Sequence, residues 1–243
     1  MEIWGHRGAY HHAPENTIYS FKKAIELGAD GAEFDVQLTK DGEVVVIHDE
    51  RIDRVSNRTG LVKDYALSEL KKINFNKRGI SEPYFMEIQT LDEVLQLLAT
   101  SSLTMNIELK TGIVYYEGIE QKTVNIVNKY GLARRVLYSS FNHYSIQNVK
   151  EYDPSAKTAL LCGGGIIVTA EQCEKVGAVA LHPGIHQIRY PGLIEDSHNR
   201  GVKIHAWTVE SEEDFNYAKD HGVDAVIVND IAKFKSYGKK CHQ

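Results

Sequence analysis

The sequence predicts an α/β fold: a (β/α)8 TIM barrel with a small insertion after the second strand. Three observations predict it. The chain has 243 residues, close to the roughly 250 of such barrels. Eight short apolar runs alternate with helical patterns along the chain, which is the order of a parallel sheet wrapped in helices. Glycines stand where the helices should stop, at Gly28, Gly131, Gly177, Gly201 and Gly222, positions where a left-handed residue ends a helix most easily. A doubly wound open sheet gives a similar alternation, so the count of eight strands is the discriminating claim.

Taken in order, the first strand covers Glu2–His6 and runs into the polar loop His6-Arg7-Gly8. Asn16 or Thr17 caps a helix over Tyr19–Leu27. The second strand, Gly31–Leu38, alternates apolar and polar residues. Lys40-Asp41-Gly42 reads as a hairpin turn leading into the apolar run Val44–Ile47. A polar stretch from Asp49 to Glu87 follows, with a short helix at Ser68–Lys72. It forms an insertion over one rim, at about residues 50–88, and long rim loops usually serve a site. Helix Leu91–Leu98 and strand Thr104–Lys110 resume the alternation. Then come helix Ile119–Tyr130, strand Val136–Ser140, helix Tyr144–Glu151 and strand Thr158–Cys162. Gly163-Gly164-Gly165 reads as a flexible loop, since glycine clusters mark turns. Helix Ala170–Val176, strand Val179–His182, helix Tyr190–Asn199 and strand Lys203–Val209 follow. Ser211 caps helix Glu212–His221, and strand Ala225–Val228 completes the eight. The expected organisation is one domain over residues 1–243.

Composition narrows the function classes. Hydrophobic residues make up 42% and charged residues 25%, with a formal net charge of -5. A nucleic-acid binder would need a basic face, so no nucleic-acid partner is expected. A small anionic substrate stays compatible, because local charge in a pocket decides that. Cys162, Cys173 and Cys241 have neither a paired nor a metal-type spacing. Reduced thiols, no signal-peptide pattern at MEIWGHRG and no run of membrane-spanning length lead to the expectation of a cytoplasmic protein without stable membrane insertion. Homo-oligomerisation is left open.

The chemistry resides in the strands. Ala32, Phe34, Val36 and Leu38 face the helices, so Glu33 and Asp35 face the barrel interior. Ile107 and Leu109 likewise put Glu108 and Lys110 inside. Interior carboxylates are costly unless neutralised. Three of them suit a hard divalent cation, Mg2+ or Ca2+; pairing with Lys110, Arg7 and buried water is the bland alternative. His6 and His48 end their runs near this group and can exchange protons near neutrality. Arg7 offers a planar fork for phosphate oxygens, and Gly8 allows close backbone approach. His182, at the end of the sixth strand, is read as lining the barrel mouth. Phe141, after Ser139-Ser140, lines the pocket or packs in the core.

These residues resemble a known family. His6-Arg7-Gly8, Ala13-Pro14-Glu15-Asn16-Thr17, Glu33-Phe34-Asp35, His48-Asp49, Glu108-Leu109-Lys110 and Ala206-Trp207-Thr208 follow the order seen in glycerophosphodiester phosphodiesterases, across essentially the whole chain. The resemblance implies metal-dependent hydrolysis of glycerophosphodiesters to glycerol 3-phosphate and an alcohol, in glycerol and lipid metabolism. It implies Glu33, Asp35 and Glu108 as metal ligands, His6 and His48 as the acid–base pair, and Arg7 and Lys110 as phosphate contacts. It puts Trp207 on the glycerol side of the pocket and makes Glu15 and Asn16 supports of the first loop. Two alternatives stand beside it: a phospholipase D-like enzyme acting on lysophospholipids, and a non-catalytic phosphoester-binding barrel.

Overall fold

In a computed structural model, residues 1–76, 85–165 and 169–240 are described; residues 77–84 of the expected insertion, and Cys241, lie outside them. Eight parallel strands close a barrel in the order β1 (Glu2–Gly5), β2 (Gly31–Leu38), β5 (Thr104–Leu109), β6 (Val136–Ser140), β7 (Lys157–Cys162), β8 (Ala180–Pro183), β9 (Lys203–Val209) and β10 (Ala225–Val228). β10 pairs with β1, and β1 pairs with β2 to complete the ring. The two remaining strands, β3 (Val44–Val46) and β4 (Gln89–Thr90), extend β2 outward as antiparallel neighbours.

Around the barrel lie α1 (Ile18–Glu26), α3 (Leu91–Leu98), α4 (Ile119–Lys129), α5 (His143–Tyr152), α6 (Thr169–Val176), α7 (Leu193–Asn199), α8 (Glu212–Asp220) and α9 (Ile231–Lys240), while the short α2 (Leu67–Leu70) belongs to the insertion. The main core lies between strands and helices, where Phe34, Val36, Ile107 and Leu109 meet Phe21, Leu91, Leu95 and Ile119. The outward set of β2 and β5 is therefore the one that alternation predicts. A second, smaller core of Val45, Ile47, Ile52, Val55, Val62, Leu70 and Phe75 holds the insertion on the β3 edge. A third fills the barrel interior with Trp4, Leu137, Ala159, Ala180 and Ile227.

Local signals explain several boundaries. Thr17, not Asn16, caps α1: its hydroxyl accepts from Ser20 N at 3.2 Å in a capping box. The helix expected from Tyr190 begins only at Leu193, because Pro191-Gly192 intervenes and Gly192 sits at φ 78°. A 3-10 turn over Ile185–Arg189 fills the gap. α9 was not anticipated. His182 does not reach the barrel mouth. It is fully buried in the interior, with Nε2 at 2.9 Å from His205 Nδ1 and His205 packed on Trp4 at 4.6 Å.

This buried imidazole pair has a consequence for stability. Burial disfavours the charged ring, lowering His205 to about 4 and His182 well below its usual value. The unfolded chain then binds more protons than the fold between about pH 4 and 6.5. The contribution is present above pH 6.5 and lost as pH falls. Urea midpoints at pH 7 and pH 5 should show wild type losing on the order of 1–2 kcal/mol more than His205→Gln. Equal losses would remove the pair as the cause.

Candidate active site

The register of β2 and β5 builds the acidic group. Asp35 pairs with Glu108 and Glu33 with Asn106, so all four side chains share the inner face of the barrel as two successive pairs. Glu33, Asp35 and Glu108 are buried, and one carboxylate oxygen from each lies within 4.8 Å of the others. Burial, then repulsion from Asp35 and Glu108, pushes Glu33 well above the usual carboxylate range. Burial and Asp35 push Glu108 up to about 7. Burial works upward on Asp35 too, but His48, Lys110 and Arg7 outweigh it and hold Asp35 at about 2.

Asp35 Oδ1 is buried and has no hydrogen-bond partner. Buried acceptors are nearly always satisfied, so this oxygen marks a place for a ligand. Together with two further hard oxygen donors, it fits a divalent cation.

The β2–β3 hairpin delivers the second histidine. Gly42, at φ 79°, makes the turn, and the ladder runs from Leu38 opposite Val44 to Val36 opposite Val46. Ile47 N then donates to Asp35 O at 3.0 Å. The chain therefore returns along the acidic strand and leaves His48 beside it. His48 Nδ1 lies 2.6 Å from Asp49 Oδ1, and Lys110 Nζ lies 3.3 Å from His48 Nε2. Nδ1 donates to the carboxylate there, and Lys110 can donate to Nε2 only while that nitrogen carries no proton. Lys110 also donates to Glu108 at 2.9 Å and lies 4.0 Å from Asp35.

His6 follows β1. Its Nδ1 is 2.6 Å from Asn229 Oδ1, while Asn229 Nδ2 donates to Glu210 at 2.9 Å. The Asn229 oxygen must accept, so His6 carries its proton on Nδ1 and turns an unprotonated Nε2 toward Glu33, 4.0 Å away. Burial and the Arg7 charge lower His6 to about 4.

Arg7 takes a left-handed conformation, φ 49°, which costs a non-glycine residue about 1 kcal/mol. Its backbone N–H donates to Glu33 at 2.9 Å and its guanidinium to Glu15 at 2.8 Å, and these bonds hold it there. Gly8 follows at φ 82°, and a Cβ on it would sit 2.4 Å from Ser20 Oγ, so both conformation and space require glycine. Asn16, also left-handed at φ 57°, donates to Asp35 Oδ2 at 3.0 Å. It supports the acidic group rather than capping a helix.

His6, Arg7, Glu33, His48, Glu108, Phe141 and Trp207 line one cleft of about 150 Å³. Asp35 contacts this lining at Arg7, and Lys110 contacts it at His48 and Glu108. Phe141 is half-exposed and meets Trp207 edge-on at 5.5 Å, so it belongs to the cleft wall rather than the core. The nine residues expected to act on substrate or metal (His6, Arg7, Glu33, Asp35, His48, Glu108, Lys110, Phe141 and Trp207) gather at the C-terminal end of the barrel, where the active sites of such barrels lie. Four contributors were missed. Asn106 also lines the cleft, and the alternation that exposes Glu108 points to it as well. Asn229 holds His6 from 223 residues away. Asp49 was noted only as following His48. Arg54, in a 3-10 turn of the insertion, donates to Asp49 at 2.6 and 3.0 Å and to Glu15 at 2.5 and 2.7 Å.

Comparison with known proteins points to one family. The model of the glycerophosphoryl diester phosphodiesterase family matches residues 6–233. A glycerophosphodiester phosphodiesterase of Caldanaerobacter subterraneus subsp. tengcongensis is 44% identical over 232 residues, covering 94% of this chain and 93% of that protein. One from Bacillus altitudinis is 36% identical, covering 94% of each. An Oleispira antarctica phosphodiesterase, solved in complex with the product sn-glycerol-3-phosphate, superposes with a TM-score of 0.85 at 26% identity, over 98% of this chain and 97% of that one.

Proposed function

The chain belongs to the glycerophosphoryl diester phosphodiesterase family, and we propose that it hydrolyses glycerophosphodiesters to sn-glycerol 3-phosphate and an alcohol, using one divalent cation and two histidines. The observation that carries this reading is the buried trio Glu33, Asp35 and Glu108 with an imidazole on either side. Glu33, Asp35 and Glu108 would hold Mg2+ or Ca2+, which when bound supplies positive charge against the phosphoryl oxygens.

The chain's own residues do the rest. Arg7 and Lys110 meet phosphate oxygens and offset charge that grows in the transition state. Trp207 and Phe141 form an apolar wall for the glycerol carbons. His6, neutral with Nε2 free, accepts the proton of the attacking hydroxyl: either that of water, giving glycerol 3-phosphate directly, or that of the substrate's glycerol, giving a cyclic phosphate that a water then opens. His48, held by its hydrogen bond to Asp49, donates a proton to the departing alcohol oxygen. The free, buried Cys162 and Cys173 accord with a reducing, cytoplasmic setting. Among the described residues, no helix is long and apolar enough to cross a membrane.

The test is release of glycerol 3-phosphate from glycerophosphocholine, with lysophosphatidylcholine alongside. Release from the first that stops with chelator and returns with Mg2+ or Ca2+ is expected. Turnover of the second alone would favour the phospholipase D-like alternative, and chelator-resistant release would remove the metal from the mechanism.

A further inference from the structure

Arg54 touches neither the cleft nor the acidic trio, yet it joins the two halves of the catalytic apparatus. Its guanidinium forks twice. One fork grips Asp49, through Nε at 2.6 Å and Nη2 at 3.0 Å. The other grips Glu15, through Nη1 at 2.5 Å and Nη2 at 2.7 Å. Beyond Asp49 lies His48 Nδ1 at 2.6 Å, and beyond Glu15 lies Arg7 Nη1 at 2.8 Å. An unbroken chain of five charged or titratable side chains therefore runs from the histidine of the hairpin to the arginine of the first loop.

The platform under Arg54 is firm. Ile52, in the same 3-10 turn, is fully buried in the insertion's core. Its N–H donates to Gly60 O at 3.0 Å, and Ser56 N donates back to Ile52 O at 2.9 Å. The side chain of Glu15 is only 7% exposed, so its two arginine partners are needed to keep it ionised. Burial works upward on both carboxylates, but Arg54 and its neighbours outweigh it and hold Glu15 and Asp49 below the usual range.

We propose that Arg54 is a positioning residue of the reaction: from the insertion it sets His48 through Asp49 and Arg7 through Glu15, so the insertion is part of the catalytic apparatus rather than a cover over it. Only a guanidinium presents enough donors in a plane to fork two carboxylates at once; a lysine ammonium has one point of charge. The proposal rests on the roles given above to His48 and Arg7.

The experiment measures glycerol 3-phosphate release by Arg54→Ala, Arg54→Lys, Asp49→Asn and Glu15→Gln, with the double variants. Losing the support behind a functional group typically lowers activity about 10- to 100-fold, and Arg54→Ala is expected in that range. Asp49→Asn should act mainly on kcat, through His48. Glu15→Gln should act mainly on KM, through Arg7. Arg54→Ala should move both, and Arg54→Lys should restore one of the two rather than neither. In the double variants the kcat losses of Arg54→Ala and Asp49→Asn should fall short of their product, because both cut the same chain. Should Arg54→Ala fold poorly, Arg54→Lys alone and combined with Asp49→Asn or Glu15→Gln gives the second readout. A loss in the Arg54→Lys doubles that falls short of the product of the singles supports the chain, and one that multiplies fully overturns it. An Arg54→Ala enzyme with wild-type kcat and KM, or losses that multiply fully, would overturn the proposal. Wild-type protein that releases no glycerol 3-phosphate from any diester would instead overturn the functional reading itself.

Discussion

Glu33→Gln should lower turnover of glycerophosphocholine by about a hundred- to a thousandfold, the scale of losing a charge-stabilising group at a phosphoryl centre, while making the metal-free protein more stable. Both effects follow from one feature. Three carboxylates share a buried space within 4.8 Å, and burial with mutual repulsion raises Glu33 and brings Glu108 up to about 7. A group whose pKa is higher in the fold than in the unfolded chain holds its stability below the unfolded value and loses it as pH rises. Metal-free wild type should thus lose stability as pH climbs from about 4.5 toward 7 and beyond. Glutamine keeps an oxygen to accept from Arg7 N and carries no charge, so the variant should lose less. Saturating Mg2+ or Ca2+ should raise the wild-type Tm by mass action and leave the variant nearly unmoved. The measurement is Tm against pH, with chelator and with cation, beside kcat. A variant with wild-type turnover, or a wild-type Tm indifferent to cation, would refute the trio as a metal site. Below pH 6.5 the buried histidines impose the opposite slope, so the comparison belongs at pH 7 and above.

Alternation carried much of this site in the sequence. A strand that must bury Phe34 and Val36 against helices has no choice but to aim Glu33 and Asp35 inward, and the same holds for Ile107 and Glu108. The Lys40-Asp41-Gly42 turn likewise announced that His48 would return along that strand. What alternation does not encode is depth along the barrel axis. His182 and Trp207 both belong to interior-lining strands, yet one is sealed beneath the other, with Trp207 Nε1 donating to His182 O at 2.8 Å. Nor does it encode which polar residues meet after closure. Asn229 reaches His6 only because β10 pairs with β1. Arg54 sits in a run of charges that reads as solvated surface until the insertion packs Ile52 into its own core. Asn16 and Thr17 are equally good caps in isolation; the left-handed turn at Asn16, needed to reach Asp35, settles which one caps α1.

His48→Ala should be nearly inactive on glycerophosphocholine and much less impaired on a p-nitrophenyl diester of glycerol phosphate. The two histidines are held in different ways. His6 bonds a neutral amide and faces Glu33 with a bare Nε2, the state of a proton acceptor. His48 bonds the Asp49 carboxylate instead, a charged partner of the kind that accompanies a histidine passing a proton to a leaving group. A choline alkoxide cannot depart without a proton, whereas p-nitrophenolate can. General acid catalysis contributes on the order of 10²- to 10⁴-fold, and that whole contribution should vanish with the activated leaving group. His6→Ala should lose a similar factor on both substrates, since the attacking hydroxyl must be deprotonated in either case. The readout is the ratio of kcat/KM for the two diesters in wild type and in each variant. If His6→Ala were the variant rescued by p-nitrophenolate, the donor and acceptor roles would be exchanged; if neither were rescued, His48 would not be the group that protonates the leaving oxygen.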